Sequence, residues 1–247
     1  AEERWESLVA GDIPDIPLDE PAGSCDSGTP ALNETVDDVV IFATIAPIDG
    51  AGGILGQAGP CFLRDPGFLP IVGVMFFDSE DMEFVESEGL LPQLILHEMG
   101  HVLGFGTLWP FYDLLAGAGG ADPHFTGEAA ITAFDEAGGS TYSGAKVPVE
   151  NVGGPGTIES HWRELVFGTE LMTGFIDVGP NPLSAISVAA LADQGYSVDQ
   201  SGADSYSLAA PLRLPGATRS LQLTNDVRRL PLKVLDNKGR LLRMLRR

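Results

Sequence analysis

The chain has 247 residues, 44% of them hydrophobic, and a formal net charge of −21 at pH 7, which is material for a sizeable core in one large domain or two small ones and excludes a disordered chain. Residues 1–212 hold four basic and 33 acidic side chains, whereas residues 213–247 hold ten basic and two acidic. So acidic a body repels phosphate backbones and anionic lipid, which removes nucleic acid from the partner classes, and no run reaches the roughly 18 to 20 apolar residues of a membrane-spanning segment.

Trp5, Leu8 and Val9 lie at helical spacing, so residues 1–10 read as the end of an amphipathic helix stopped by Gly11. This start is charged and unlike a signal peptide, which leaves the compartment open because a mature secreted chain lacks one too. A loop rich in Pro, Gly and Asp runs to about Thr35, and VVIFATIAPI (Val39 to Ile48) then suits a buried strand. The glycines of DGAGGILGQAGPC are not followed by GK[ST] and read as a wide loop rather than a phosphate cradle. LPIVGVMFF (Leu69 to Phe77) is a second strand, either a core strand or a sheet edge on which an extended peptide would pair. The acidic DSEDMEFVESEG separates it from a helix expected from about Leu90, with Pro92 in its first turn and Gly104 and Gly106 as the stop signal. A helix from EAAITAF to about Asp135, a glycine-rich stretch to Gly156 and an apolar helix near Leu183 to Gln194 complete the body. In the basic tail, RLPLKVLDNKGRLLRML reads either as two short strands around a DNKG turn or as a flexible end. Cys25 and Cys61 are too far apart for a CxxC pair; they form one structural disulfide in an oxidising compartment or remain two buried thiols.

The helix after Leu90 carries the chemistry. In LILHEMGHVLGFGTLW, His97 and His101 are one turn apart on one face and can point two nitrogens at one ion, while Glu98 sits about 100° round the axis, within reach of a water on that ion. That is the arrangement of metal-assisted hydrolysis, with Glu98 as the general base. Leu94, Ile95, Met99, Val102 and Leu103 make the helix mostly interior, where unpaired polar groups would be expensive. The compact pattern HExxHxxGxxH would place a third histidine where this chain has Thr107. The remaining candidates are His124, His161, or a carboxylate such as Glu128 or Glu136. His124, in GADPHFTGE, reads as a loop histidine, and His161 has the better context because Met172 follows it in an apolar turn.

HEMGHVLGFGT, a long insertion, SHWRE and then ELMTGF together resemble the leishmanolysin family of metzincin zinc metallopeptidases, peptidase family M8, in its bacterial form. RWESLVAGDIPD, GQAGPC and ALADQGYSVD extend the likeness over roughly residues 1–208. The resemblance implies that His97, His101 and His161 bind one catalytic Zn2+, that Glu98 is the base, that Met172 floors the metal, and that Gly104 turns the chain off the helix. It implies an α+β fold, a twisted mixed sheet packed on the zinc helix above a mostly helical lower subdomain. Residues 1–210 would be the catalytic domain, lacking the family's opening strand, and residues 211–247 a basic extension. The expected function is a secreted or cell-surface endopeptidase acting on protein or peptide substrates, against a metal-stabilised binding or surface protein that cleaves nothing. The missing cysteine-rich C-terminal region means that surface anchoring in larger relatives does not carry over. The acidic loops suggest Ca2+ in charge alone, since no EF-hand or glycine-aspartate repeat supports it.

Overall fold

The computed structural model describes residues 1–142, 144–208 and 220–245. A short helix α1 (Glu2–Glu6) opens the chain, well short of the ten helical residues expected. The supposed loop that follows contains a hairpin of β1 (Ile16–Glu20) and β2 (Leu32–Val36), paired antiparallel. Pro17 hides β1 from a sequence reading because proline is normally excluded from central strands.

The main sheet begins with β3 (Val40–Ala46), β4 (Gly56–Arg64) and β5 (Pro70–Asp78). β5 runs parallel to β3 and antiparallel to β4. Of the two alternatives for LPIVGVMFF, the core strand is the one found, since β5 lies inside the sheet. Two other expectations are corrected: VVIFATIAPI is not a buried strand but supplies the edge strand β3, with Ile45 65% exposed. The second half of the glycine-rich segment is not loop at all: Gly56 to Cys61 lie in β4, which is buried along its whole length. Gly59 shows why small residues are needed there, since a Cβ on it would lie 2.5 Å from the Arg228 carbonyl oxygen.

The sheet is sandwiched. Phe62, Val72 and Val74 cluster with Ile16, Leu18, Leu32 and Val36 of the hairpin. On the other side Ala58, Met75 and Phe77 cluster with Val85 of α2 (Met82–Ser87), with Leu94 and Val102 of α3 (Leu91–Val102), and with Leu90 at their junction. Each such fully buried aliphatic side chain contributes about 1.5–3 kcal/mol. The hairpin is also tied to β4 covalently, because Cys25 and Cys61 are disulfide-bonded with Cα atoms 5.4 Å apart.

Beyond α3 the chain builds a second core. It contains β6 (Leu115–Ala116), β7 (His124–Phe125), β8 (Val147–Pro148), α4 (Glu128–Glu136), α5 (Glu164–Phe167) and α6 (Ala185–Asp193). β6, β7 and β8 form a small sheet in that order, and α4 packs on α6. Between them Trp162 stacks on Phe167 with centroids 5.3 Å apart and on Trp109 at 5.1 Å. β9 (Phe175–Asp177) pairs antiparallel with β10 (Ser220–Gln222). The last strands, β11 (Leu232–Leu235) and β12 (Leu241–Leu245), form an antiparallel hairpin, and β11 joins β4 in parallel, so the sheet order is β12-β11-β4-β5-β3. The expected tail hairpin is thus part of the main sheet; residues 211–219 and 246–247 of that tail lie outside the described residues. The whole is a mixed α+β fold with few helices, and among the described residues no helix is long and apolar enough to cross a membrane.

Candidate metal centre

Helix α3 starts with proline in its first turn, where a missing N–H removes no bond. It ends at Gly104, whose φ of +107° only glycine adopts without strain. Phe105 N–H donates to Gly100 O at 3.0 Å and Gly104 N–H to His101 O at 3.3 Å, the paired bonds of a Schellman stop. The Thr107 hydroxyl donates to His101 O at 2.8 Å, so the residue that replaces a compact third histidine helps finish the helix instead. The chain then passes Gly106, where a Cβ would lie 1.9 Å from Ser160 O. That close approach brings in His161.

His161 sits in an irregular extended segment between β8 and the methionine turn. Its carbonyl accepts from Glu150 N–H at 2.8 Å, and the next residue, Trp162, donates its N–H to Met172 O at 3.0 Å. Although sixty residues from His101 in sequence, its Nε2 stands 3.0 Å from that of His101 and 3.2 Å from that of His97. The Nε2 atoms of His97 and His101 are 3.0 Å apart. All three rings are buried.

The other ring nitrogens fix the tautomers. Nδ1 of His97 lies 2.7 Å from Leu171 O, that of His101 2.9 Å from Phe105 O, and that of His161 2.9 Å from Thr157 O. A carbonyl only accepts, so each Nδ1 carries the hydrogen and each Nε2 turns a bare lone pair toward the other two. Three lone pairs converging in a dry interior repel unless a cation lies among them, and three imidazoles are a set zinc favours. The residues therefore fit a divalent transition metal.

A fourth donor was not legible in the sequence. Asp226, just after β10, directs Oδ2 to 2.9 Å from Nε2 of His161, 3.3 Å from that of His97 and 3.7 Å from that of His101. It belongs to no motif; its one signal is that it is one of two acids in the basic final stretch. Together His97, His101, His161 and Asp226 form a buried group whose ligand atoms lie within 4.8 Å of one another. Burial lowers the pKa of His97, and lowers that of His101 to about 4. Burial acts the same way on His161, but the Asp226 charge together with hydrogen bonds to Asp226 and to the Thr157 carbonyl outweighs it, and the net shift is upward. Burial would raise Asp226, yet the three rings hold it well below the carboxylate range.

Glu98 faces the same space. Both of its carboxylate oxygens are buried without a hydrogen-bond partner, and so is Oδ1 of Asp226. Burial first, and then the Asp226 charge, push the Glu98 pKa well above its ordinary value. Gly56 of β4 makes room for it, since a Cβ there would lie 2.8 Å from Oε1 of Glu98. Met172 lies beneath α3: a Cβ on Gly100 would meet its Cε at 2.8 Å.

The other sequence candidates fall elsewhere. His124 in β7 has Nδ1 2.8 Å from Asp122 O, and Glu128 and Glu136 sit at the two ends of α4, none of them in the buried group. Asp12, Asp37 and Asp38 come together on the surface with nothing but their charge to mark them.

A family profile described as leishmanolysin matches residues 27–210. No curated protein matches the chain at a significant level. The matched stretch contains His97, Glu98, His101, His161 and Met172, and Asp226 lies beyond it.

Proposed function

Because the chain belongs to the leishmanolysin family of metallopeptidases, which matches it over residues 27–210, we propose that it is a secreted zinc endopeptidase of metzincin architecture. In this reading His97, His101 and His161 hold the ion and Glu98 is the general base. The observation that carries it is the convergence of three Nε2 lone pairs, 3.0–3.2 Å apart, beside a buried carboxylate that has no other partner. A zinc ion there would supply Lewis acidity, polarising a peptide carbonyl and acidifying water to a pKa of about 7.

The protein's residues do the rest. Glu98 accepts a proton from the attacking water and passes it to the departing amine nitrogen. Carbonyls of Leu171, Phe105 and Thr157 keep the rings in the tautomer that leaves each Nε2 free. The disulfide is compatible with extracellular residence.

A second reading draws on Asp226. Four protein donors are the number found in closed structural zinc sites, which would suit a metal-stabilised binding protein without hydrolysis. Against it stands Glu98, buried without a partner where a purely structural site needs no base.

Incubating the full chain with unfolded casein, with and without a chelator, separates the two. Chelator-sensitive fragments are expected, and Glu98→Ala should keep one zinc per chain while losing at least about a hundredfold in rate. Full hydrolysis by Glu98→Ala would refute its role. His161→Ala should lose the metal, and retention of zinc at wild-type affinity would refute His161 as a ligand.

A further inference from the structure

The segment that carries Asp226 is placed as a peptide in a cleft would be. Ala58 of β4 donates its N–H to Asp226 O at 2.7 Å and accepts from Arg228 N–H at 2.7 Å, so Val227 forms a parallel bridge with Ala58. These are the backbone groups of β4 next to Gly56, the residue packed against Glu98. Upstream, Leu223 N–H donates to Gly174 O at 2.9 Å, just past the methionine turn, and the Thr157 hydroxyl donates to Leu223 O at 3.1 Å. Gln57 Nε2 donates to Asn225 O at 2.6 Å. The segment thus runs from the lower core, over the histidines, to the upper sheet, and spans both walls of the cleft.

We propose that residues 220–228 are an intramolecular latch that competes with substrate for the cleft and so slows the peptidase without abolishing cleavage. With Oδ2 2.9–3.7 Å from the three Nε2 atoms, Asp226 would compete with water and a scissile carbonyl for an ion held by the histidines, and residues 226–228 occupy the stretch of β4 on which an extended peptide would pair. The inference rests on the peptidase reading of the site. Three observations separate a latch from a permanent fourth ligand. Asp226 lies outside the family-matched residues 27–210, which contain the other site residues. The Asp226 oxygen facing away from the histidines, and both oxygens of Glu98, are buried without partners, so the closed state leaves polar atoms unsatisfied that water would serve on opening. Charge, finally, draws the basic tail onto the acidic body: Arg228 pairs with Asp26 at 2.8 Å, Lys233 with Glu20 at 3.5 Å and Arg243 with Asp65 at 3.4 Å.

The hairpin of β11 and β12 is the anchor. Leu232, Val234 and Leu235 are buried against the body, so this part stays when the latch lifts. Tethering keeps the carboxylate at a local concentration on the order of millimolar, enough for one metal bond and a few hydrogen bonds to compete with solvent. An opened latch exposes the Ala58 N–H and C=O, the grip an incoming peptide strand would use.

The test uses the full chain loaded with Co2+ and titrated with a tripeptide hydroxamate, a bidentate chelator that needs open metal positions. Wild type should bind it at least tenfold more weakly than Asp226→Ala, and the cobalt absorption bands should shift in that variant as a carboxylate ligand is lost. Arg228→Pro, which removes the N–H donated to Ala58 and leaves all four donors in place, should tighten hydroxamate binding in the same direction; it decides the matter if Asp226→Ala does not fold. Equal hydroxamate affinity in wild type and variants overturns the latch, and if casein is still cleaved the peptidase reading survives. Tighter hydroxamate binding in the variants without casein cleavage upholds the latch and overturns the peptidase reading.

Discussion

Gly100 lies between the two helical histidines and faces the methionine rather than the metal. An added methyl group would sit 2.8 Å from Cε and 3.0 Å from Sδ of Met172, and 3.3 Å from Trp5 Cζ2. Alanine in a helix interior gains about 1 kcal/mol over glycine, whereas overpacking a filled core costs about 1–3 kcal/mol. Met172 is fully buried, and close-packed interiors leave a side chain little room to swing, so the second effect should win. Gly100→Ala is expected to lower stability by about 1 kcal/mol in urea unfolding and to weaken cobalt binding severalfold; a variant more stable than wild type would show that Met172 moves freely. Two residues before Met172, the buried carboxylate of Glu170 accepts from Met172 N–H at 2.6 Å, from Ser184 N–H at 3.1 Å, and from the hydroxyls of Ser184 and Ser187 at 2.7 and 2.6 Å. Ser187 in turn accepts from Trp162 Nε1 at 2.8 Å, next to His161. Glu170→Ala would strand these buried donors, so a loss of at least about 2 kcal/mol in the same unfolding assay is expected. A loss below half that value would mean that water takes over the carboxylate's place.

At the scale of elements, what could be read in the sequence follows from how each element makes its contacts. Helix α3 was legible because its signals are local: proline at the start, glycine at the stop, two histidines at i and i+4. β4 was illegible because its composition answers neighbours remote in sequence, Gly56 to Glu98 and Gly59 to Arg228, and a glycine-rich run otherwise reads as loop. Asp226 was hidden for the same reason, as its role exists only once β10 and β11 have carried it over the histidines. The turn between β3 and β4 has a different organiser. Asp78, at the end of β5, accepts N–H bonds from Glu80, Asp49, Gly50 and Ile48 at 2.8–3.0 Å. These bonds hold its pKa down to about 2, the Glu80 and Asp49 N–H groups contributing most. Its folded pKa is below its unfolded one, so the stability it confers is complete above about pH 4 and disappears as pH falls through about 2. Melting temperature should therefore drop over that window, and Asp78→Asn should flatten the drop. An unchanged slope in the variant would assign the acid sensitivity to other carboxylates.

For the whole molecule, the disulfide bears on both stability and the latch. Cys25 lies in the loop between β1 and β2, and Cys61 lies in β4, two residues beyond Gly59. The bond therefore pins an otherwise separate two-stranded sheet onto the main one. Asp26, next to Cys25, is the partner of Arg228, two residues after Asp226, so the same loop also steadies the latch. Closing a loop of 36 residues stabilises the folded chain by about 3–4 kcal/mol if the effect is chain entropy. The ion pair, with Arg228 still open to solvent, adds about 1 kcal/mol, so covalent closure dominates. For a chain of this size each kcal/mol moves the melting temperature by about 2–4 °C, and reduction should lower it by about 10 °C. The Cys25→Ser, Cys61→Ser double variant should melt where the reduced wild type does. It should also bind the tripeptide hydroxamate more tightly than the oxidised protein does, because the latch loses a fixed partner for Arg228. Thermal melts with and without reductant check the first effect and the hydroxamate titration the second. A melting temperature indifferent to reduction would mean that the β1–β2 hairpin is held by its apolar face alone, through Ile16, Leu18, Leu32 and Val36.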